Sequence, residues 1–580
     1  MAKITLPFSM DNKVDKHEMG LLNCDLYKVL PQPLQKAAES NLSLLDYLHM
    51  VPIAQVGLPQ YYPELTRNMG DTKKPNLIYP VGNNVFVHIL VDDKDTRNNY
   101  IPVEPTLTLN LDLLIPEVET KCVALSEGLV EFDPEGDMKE QLLHYLDQVV
   151  TAKDEPGARL FPDPYEGPLH RGVKLSKIKV TERELDAIRY AFIRDKIGLG
   201  NLEPLIMDPY IEDISCSGLG HVFIEHKIFK SLKSTIVFPS MQDLDEFVLR
   251  LSERVKKPVT YKEPIADATL PDGSRINIVF GRDLSKRGSN FTIRKFSDTP
   301  ISIFELVDFG TLNYQILAYL SLVISNEMNV FVCGESASGK TALLNAITTF
   351  IHPLAKVISI EDTPELQVPH PNWIREVVQS TKTDDDTGAV TMFDLLKAAL
   401  RQRPNEILVG EIRGPEGNIA FQAMQTGHSV MATLHAATVQ KLIQRITSNP
   451  ISVPRPYIDN LNVVILMSVV KLPDGTQARR ITGISEIVGY DSASETFNIM
   501  ESFHWDEATD TFEFTGNMTS YILEYKIATK LGIPTNEKRR IYAELGRRAK
   551  ILEKLHKEQG ITGFYEILDV LGKAQREGLF

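Results

Sequence analysis

The chain is predicted to be an α/β protein whose C-terminal half holds a parallel sheet flanked by helices. Three observations predict it. Short apolar β-type runs at Val330–Cys333, Val357–Ile360 and Ile407–Val409 are separated by helical segments, the pattern of strands buried on both faces. A glycine-rich octapeptide, Gly334–Thr341, follows the first run directly. Acidic residues, Glu361 and Asp362 in one case and Glu411 in the other, follow the other two runs, where open α/β sheets bind ligands.

The remaining elements are taken in chain order. With 580 residues, and roughly 100–200 residues per domain, three or four domains are expected. Residues 1–165 mix helical stretches such as Met138–Val150 with β-like runs such as Asn84–Val91. They read as an N-terminal extension able to dock a partner. Phe161–Gly167, FPDPYEG, is dense in turn formers and reads as a linker. Residues 168–296 form a smaller α/β domain, with helical spacing over Glu182–Ile197, strand character at Ile236–Phe238 and Ile276–Phe280, and a Pro271-Asp272-Gly273 turn. A hinge is expected over 297–306, a phosphate-loop core over 307–500 and a helical region over 501–580. In that tail Leu545, Leu552 and Leu555 share one face.

Composition excludes several classes. Hydrophobic residues make up 43% and charged residues 24%, which argues for packed cores rather than global disorder. A net charge of −15 disfavours a general nucleic-acid grip. The four cysteines, Cys24, Cys122, Cys216 and Cys333, form no Cys-x-x-Cys pair, so a zinc site or disulfide framework is not expected and a reducing compartment is. Cys333 reads as a small core residue. The apolar stretch Gln315–Ser325 is too short to span a bilayer and runs into Asn326 and Glu327. The first residues, MAKITLPFSMDNKVDKHE, lack the apolar centre of a signal peptide. A cytoplasmic protein that reaches a membrane through a partner is therefore expected.

Gly334, Glu335, Ser336, Ala337, Ser338, Gly339, Lys340 and Thr341 read GESASGKT and satisfy G-x-x-x-x-G-K-[ST]. Glycines let the backbone bend so that amides face phosphate oxygens, and the helix that follows, Ala342–Phe350, turns its N-terminus to the anion. Lys340 is expected to reach the outer phosphates of ATP, and Thr341 to bind Mg2+ through its hydroxyl. Glu361 and Asp362 are candidates to activate water; a solvated turn is the alternative. The run Ile407-Leu408-Val409-Gly410-Glu411 resembles a Walker B strand with one departure: Gly410 stands where an aspartate is usual, leaving Glu411 to orient the metal alone. Arg413 is read as its local partner or a phosphate sensor. In TGHSVMATLHAAT, His428 and His435 flank the run Val430–Leu434. No Cys or carboxylate completes a metal set there, whereas a histidine can donate to a phosphate oxygen.

The order GESASGKT, SIEDTPEL, RQRPNEILVGEIRG, TGHSVMATLH resembles the secretion ATPase superfamily of type II secretion, type IV pili and archaella, where these are the Walker A, Asp-box, Walker B and His-box motifs. The resemblance is strong over 300–490 and extends, through GLGNLEPLIMDPYIEDISCSG at 198–218, over roughly 190–500. Within it, EDTPELQVPHPNW, REVVQS and VTMFDLLKAALRQRPNEI are most similar to the archaellum assembly and motor ATPase, with archaeal type IV pilus and type II secretion ATPases close by. The resemblance implies a RecA-like core, a homohexamer, ATP with Mg2+, a polytopic membrane platform protein as partner and possible cytosolic accessory proteins. It also implies arginines from the smaller domain at the phosphates; Arg275 in PDGSR and Arg294 in FTIRKF match, in a patch with Arg282, Lys286 and Arg287. Taken alone, these arginines could equally be solvated. On this reading Lys340, Glu361, Glu411, Arg275, Arg294, His435 and His428 are the catalytic set, with Thr341 and Glu411 at the metal. The acidic run Asp384-Asp385-Asp386 reads as a solvated loop. A nucleic-acid translocase and a non-catalytic nucleotide-binding regulator are the alternatives from other classes.

Overall fold

A computed structural model describes residues 3–8, 24–126 except 67–68, 71, 83 and 93–94, and then 136–152, 163–164, 176–296, 299–378, 390–473, 475–578 and 580. The acidic run at 384–386 and most of the linker read at 161–167 lie outside the described residues. The chain divides into two compact units, Met1–Ser297 and Asp298–Phe580.

The first unit is built on an eleven-stranded sheet. Strands of the extension and of the smaller α/β domain share it: Asn99–Val103 pairs in parallel with Lys230–Phe238, matching Lys233 with Asn99 and Ser234 with Tyr100. The break read at 161–167 therefore does not separate two sheets. A buried carboxylate ties the halves together. Asp208 Oδ2 accepts from Tyr79 Oη at 2.6 Å and from Tyr100 Oη at 2.8 Å, and its backbone carbonyl accepts from Lys295 Nζ. Burial raises the Asp208 carboxyl above its ordinary range, since a charge there lacks water. The helix Glu182–Lys196 begins with a capping box: Thr181 accepts from Glu184 N and Glu184 accepts from Thr181 N.

The second unit carries a nine-stranded sheet. Its strands are β1 (Val330–Gly334), β2 (Val357–Glu361), β3 (Trp373–Val377), β4 (Glu406–Val409), β5 (Ser429–Leu434), β6 (Val463–Lys471), β7 (Gln477–Asp491), β8 (Thr496–Asp506) and β9 (Thr511–Glu513). Their order is β3-β2-β4-β5-β1-β6-β7-β8-β9. From β3 to β6 the pairings are parallel; from β6 onward they are antiparallel. The strand β1, which runs into the glycine loop, is thus not the neighbour of β4, which Glu411 follows; β5 lies between them.

The apolar runs have a direct cause in this sheet. Val330, Val332, Val357, Leu408, Met431 and Val463 join one core cluster, while Phe331, Cys333, Ile358, Ile407, Val409 and Val430 join another. Alternate side chains enter opposite faces, and both faces are covered, so most positions are apolar on either face. Cys333 is fully buried, and burial pushes its thiol up to about 12, which fits a core residue. The apolar helix Tyr314–Ser325 is buried at every position from Ile316 to Ile324, in a core cluster shared with the tail helix Ile541–Lys557. Among the described residues no helix is long and apolar enough to cross a membrane.

Residues 501–513 differ from the helical region expected there. They complete β8 and form β9, joined by a turn over 507–510. Alternation in Phe503-His504-Trp505 puts Phe503 and Trp505 inside and His504 outside, a period of two that a leucine-based reading of the tail overlooked. Helix resumes only beyond Tyr521.

Candidate functional site

The site lies in the second unit, at the C-terminal edge of the parallel strands. The loop leaving β1 is shaped by two glycines. A Cβ on Gly334 would lie 2.3 Å from Met467 O and 2.6 Å from Ser338 Oγ, so no other residue fits. Gly339 has φ +94° and caps the helix Lys340–Ile347 without a side-chain bond to its first amides, leaving those N–H groups for an anion. Ala337 also has positive φ, +62°, a conformation costing a non-glycine residue about 1–2 kcal/mol. The loop closes on its own backbone: Ser338 Oγ and Lys340 Nζ each donate to Glu335 O at 2.8 Å. Burial lowers the Lys340 ammonium, while Glu411 pulls the other way.

Glu361 ends β2 and is almost wholly buried, at 1% exposure. Its Oε1 accepts from the amides of Glu365 and Leu366, both at 2.8 Å. Its Oε2 is buried with no hydrogen-bond partner and lies 3.6 Å from Arg375 Nε. Burial raises this carboxyl to about 7, against the opposing pull of the two amides. A base within reach of neutrality, with one fixed oxygen and one waiting oxygen, suits proton abstraction from water.

Glu411 follows β4. Its Oε2 accepts from Arg413 Nη2 at 2.7 Å, and its Oε1 lies 3.0 Å from His435 Nε2 without aligned hydrogen-bond geometry. Burial pulls Glu411 upward, but Arg413, His435 and Lys340 outweigh it and hold the carboxyl below its ordinary range. Arg413 also reaches Asp362 Oδ2 at 3.4 Å, and so bridges the two acidic segments. Burial and Lys340 lower the His435 imidazole below its ordinary value, with Glu411 pulling the other way. The departure at Gly410 has a steric reason. A Cβ there would lie 3.2 Å from Glu361 Cγ, so any side chain at 410 would press on Glu361.

His428 does not join this set. It precedes the first residue of β5 and His435 follows the last, so roughly 20 Å of strand separates them at about 3.3 Å per residue. His428 is half-buried and its Nδ1 meets Thr426 Oγ1 at 3.1 Å. Two histidines flanking a strand point to opposite ends of the sheet, a consequence of strand direction that spacing alone did not convey.

Arg275 and Arg294 belong to the first unit. They are cross-strand partners in an antiparallel pair, and Arg294 is in turn opposite Asp213. Residues directly opposite share a face, so Arg275, Arg294 and Asp213 lie on one face of the sheet. Sequence reading singled out both arginines but not their adjacency. It missed Arg375, and it missed Arg479 of β7, whose Nε donates to Ala337 O at 3.0 Å across 142 residues. No local signal marks a contact of that separation.

A glycine-bent loop, a buried glutamate and a second glutamate at the edge of a mainly parallel sheet define a RecA-like α/β fold. Comparison with known proteins agrees. The family model described as "Type II/IV secretion system protein" matches residues 195–472. An uncharacterised protein of Methanocaldococcus jannaschii is 40% identical over 555 residues, covering 94% of this chain and 97% of its own. The VirB11 protein of Agrobacterium fabrum is 28% identical over 259 residues, covering 40% of this chain and 73% of its own. Among solved structures, the ATPase DotB of Legionella pneumophila is 18% identical with a TM-score of 0.37, covering 63% of this chain and 93% of that one. The chain belongs to the type II/IV secretion system protein family.

Proposed function

We propose that the chain hydrolyses ATP with magnesium and works as a homohexameric motor that assembles an archaellum-type filament, with rotation as a further output, through a polytopic membrane platform protein. The observation that carries the chemical part is the meeting of Lys340, Glu361 and Glu411 at one sheet edge, with a buried carboxylate oxygen on each glutamate that accepts no hydrogen bond. Two buried oxygens left so are costly unless a ligand completes them.

These groups suit a magnesium nucleotide. The Thr341 hydroxyl and the ionised Glu411 carboxylate are hard oxygen ligands, and Mg2+ there would neutralise charge gathering on the phosphates. The amides of 335–340 and Lys340 bind the β- and γ-phosphates. Glu361 Oε2 takes a proton from the attacking water, while the Glu365 and Leu366 amides hold its other oxygen still. Arg275 and Arg294 stabilise charge on the transferred phosphoryl group as arginine fingers do. His435, tied to Glu411, reports phosphate occupancy to the rest of the unit.

The filament assignment rests on the motif order and the archaellum-like phrases of the sequence. The extension, residues 1–165, is proposed to dock the platform or a cytosolic accessory protein, and the inner face of the cell membrane is the proposed place of work. Steady-state phosphate release tests the activity: wild type turns over ATP only with Mg2+, and a wild type without turnover ends the motor reading. Co-purification with the platform protein of an archaellum, against those of a pilus and a secretion system, tests the filament.

A further inference from the structure

We propose that Arg479 is a positioning residue for the phosphate loop: arriving from β7, it fixes the Ala337 carbonyl and thereby turns the neighbouring amide into the anion cradle. The inference rests on the nucleotide reading above and deepens it.

The contact itself is the Arg479 Nε–H to Ala337 O hydrogen bond of 3.0 Å. In a trans peptide the carbonyl and the following N–H point in opposite directions. Holding the Ala337 oxygen toward β7 therefore aims the Ser338 N–H the other way, where it now finds only the Glu335 carbonyl at 3.4 Å. Ala337 and Gly339, on either side of Ser338, both have positive φ. Backbone that switches handedness in this way forms a nest of amides for an anion. Gly339 reaches that conformation at no steric cost; Ala337 does not, and Ala337 is the residue the arginine holds.

Arg479 is aimed by its neighbours. Arg480 is buried and donates from Nε and Nη2 to Asp510 at 2.7 and 2.8 Å, and from Nη1 to Phe309 O at 2.8 Å. Successive residues of a strand face opposite ways, so anchoring Arg480 inward sends Arg479 outward. The register sets it opposite Val469 of β6, and β6 runs beside β1 with Met467 paired to Gly334. The arginine's stem also covers the loop: a Cβ on Gly339 would lie 3.2 Å from Arg479 Cδ and 3.4 Å from Met467 Cε. Arg479 lies beyond residue 472, where the family match ends.

The test is a double-mutant cycle read by ADP and ATP affinity and by the KM-against-kcat split, on full-length wild type, Arg479→Ala, Ala337→Gly and the double variant. Arg479→Ala is expected to weaken both nucleotides roughly tenfold, the loss of one charged hydrogen bond, and to change KM more than kcat. Glycine at 337 takes the positive-φ conformation freely, so in that background the same change should cost under about threefold. Arg479→Ala binding nucleotide as wild type does, with wild type itself binding, overturns the inference alone. So does an equal loss in both backgrounds, which would mean the guanidinium acts elsewhere than at Ala337. A wild type that binds no nucleotide overturns the site reading and this inference together.

Discussion

The two ends of one parallel sheet in the second unit use the same residue types for opposite purposes. At the C-terminal edge stand Glu361, Glu411, His435 and Lys340. At the N-terminal edge stand Glu406, His428, Asn329 and Asn462. Buried polar groups at the N-terminal edge bond to one another: Asn329 Oδ1 accepts from Val430 N, Asn462 Oδ1 accepts from Asn329 N, and Glu406 Oε1 accepts from Ser429 Oγ. At the C-terminal edge Glu361 Oε2 and Glu411 Oε1 are buried without such a partner. Buried polar groups in proteins are hydrogen-bonded as a rule; these two oxygens have only ion-pair neighbours, Arg375 at 3.6 Å and His435 at 3.0 Å, and a ligand would complete them. Burial alone does not distinguish the ends, since it raises Glu406 to about 8 and Glu361 to about 7.

That contrast can be broken by experiment. The largest effect is expected from Lys340→Ala, which should lose at least roughly 10²–10³-fold in phosphate release while keeping its thermal unfolding transition. Next comes the glutamate pair. Glu361→Gln should bind ATP but turn it over about 10²–10⁴-fold more slowly, whereas Glu406→Gln should hydrolyse ATP at nearly the wild-type rate; equal losses in a turnover assay would erase the distinction between the edges. Should Glu411→Gln prove the more severe lesion and Glu361→Gln mild, the roles of the two glutamates are exchanged. The histidines offer a smaller version of the same test: His435→Ala is expected to lower kcat/KM about tenfold, the worth of one hydrogen bond near charge, and His428→Ala to leave it within about twofold.

The smallest effects concern pH. A general base raised to about 7 must be ionised to act, so kcat/KM should fall as pH drops below about 7 in wild type. Stability runs the other way. A carboxyl whose folded pKa is raised favours the folded state in its neutral form, so the contribution is full below its ordinary value and fades as pH climbs through the folded one. For Glu406 that window runs from the ordinary 4.5 to about 8. Wild type should therefore lose a few degrees of Tm across that range, and Glu406→Gln should flatten the loss in a calorimetric series.

Much of this site was legible because its residues are local in sequence. The loop Gly334–Thr341 carries its own geometry in its glycines, and Glu361 and Glu411 could be found because strands buried on both faces read as unbroken apolar runs. His435 was found with His428, and only strand direction separates the useful ring from the distant one. The strand at 501–513 was missed because its two-residue alternation is short and is followed by a long leucine-spaced helix. The shared sheet of the first unit was missed because its ties, Tyr79 and Tyr100 to Asp208, join residues more than a hundred positions apart.

By itself the sequence determined the chemistry: eight residues able to wrap a phosphate, two acids after apolar strands, and the family they belong to. Such features depend on backbone freedom and side-chain type over a few neighbours, and those are written position by position. Tertiary structure alone decided which buried carboxylate oxygens lack a hydrogen bond, that residue 410 packs against Glu361, and that Arg479 reaches Ala337. Each of these turns on a distance between segments far apart in the chain, and such distances exist only once the sheet has brought its strands into register.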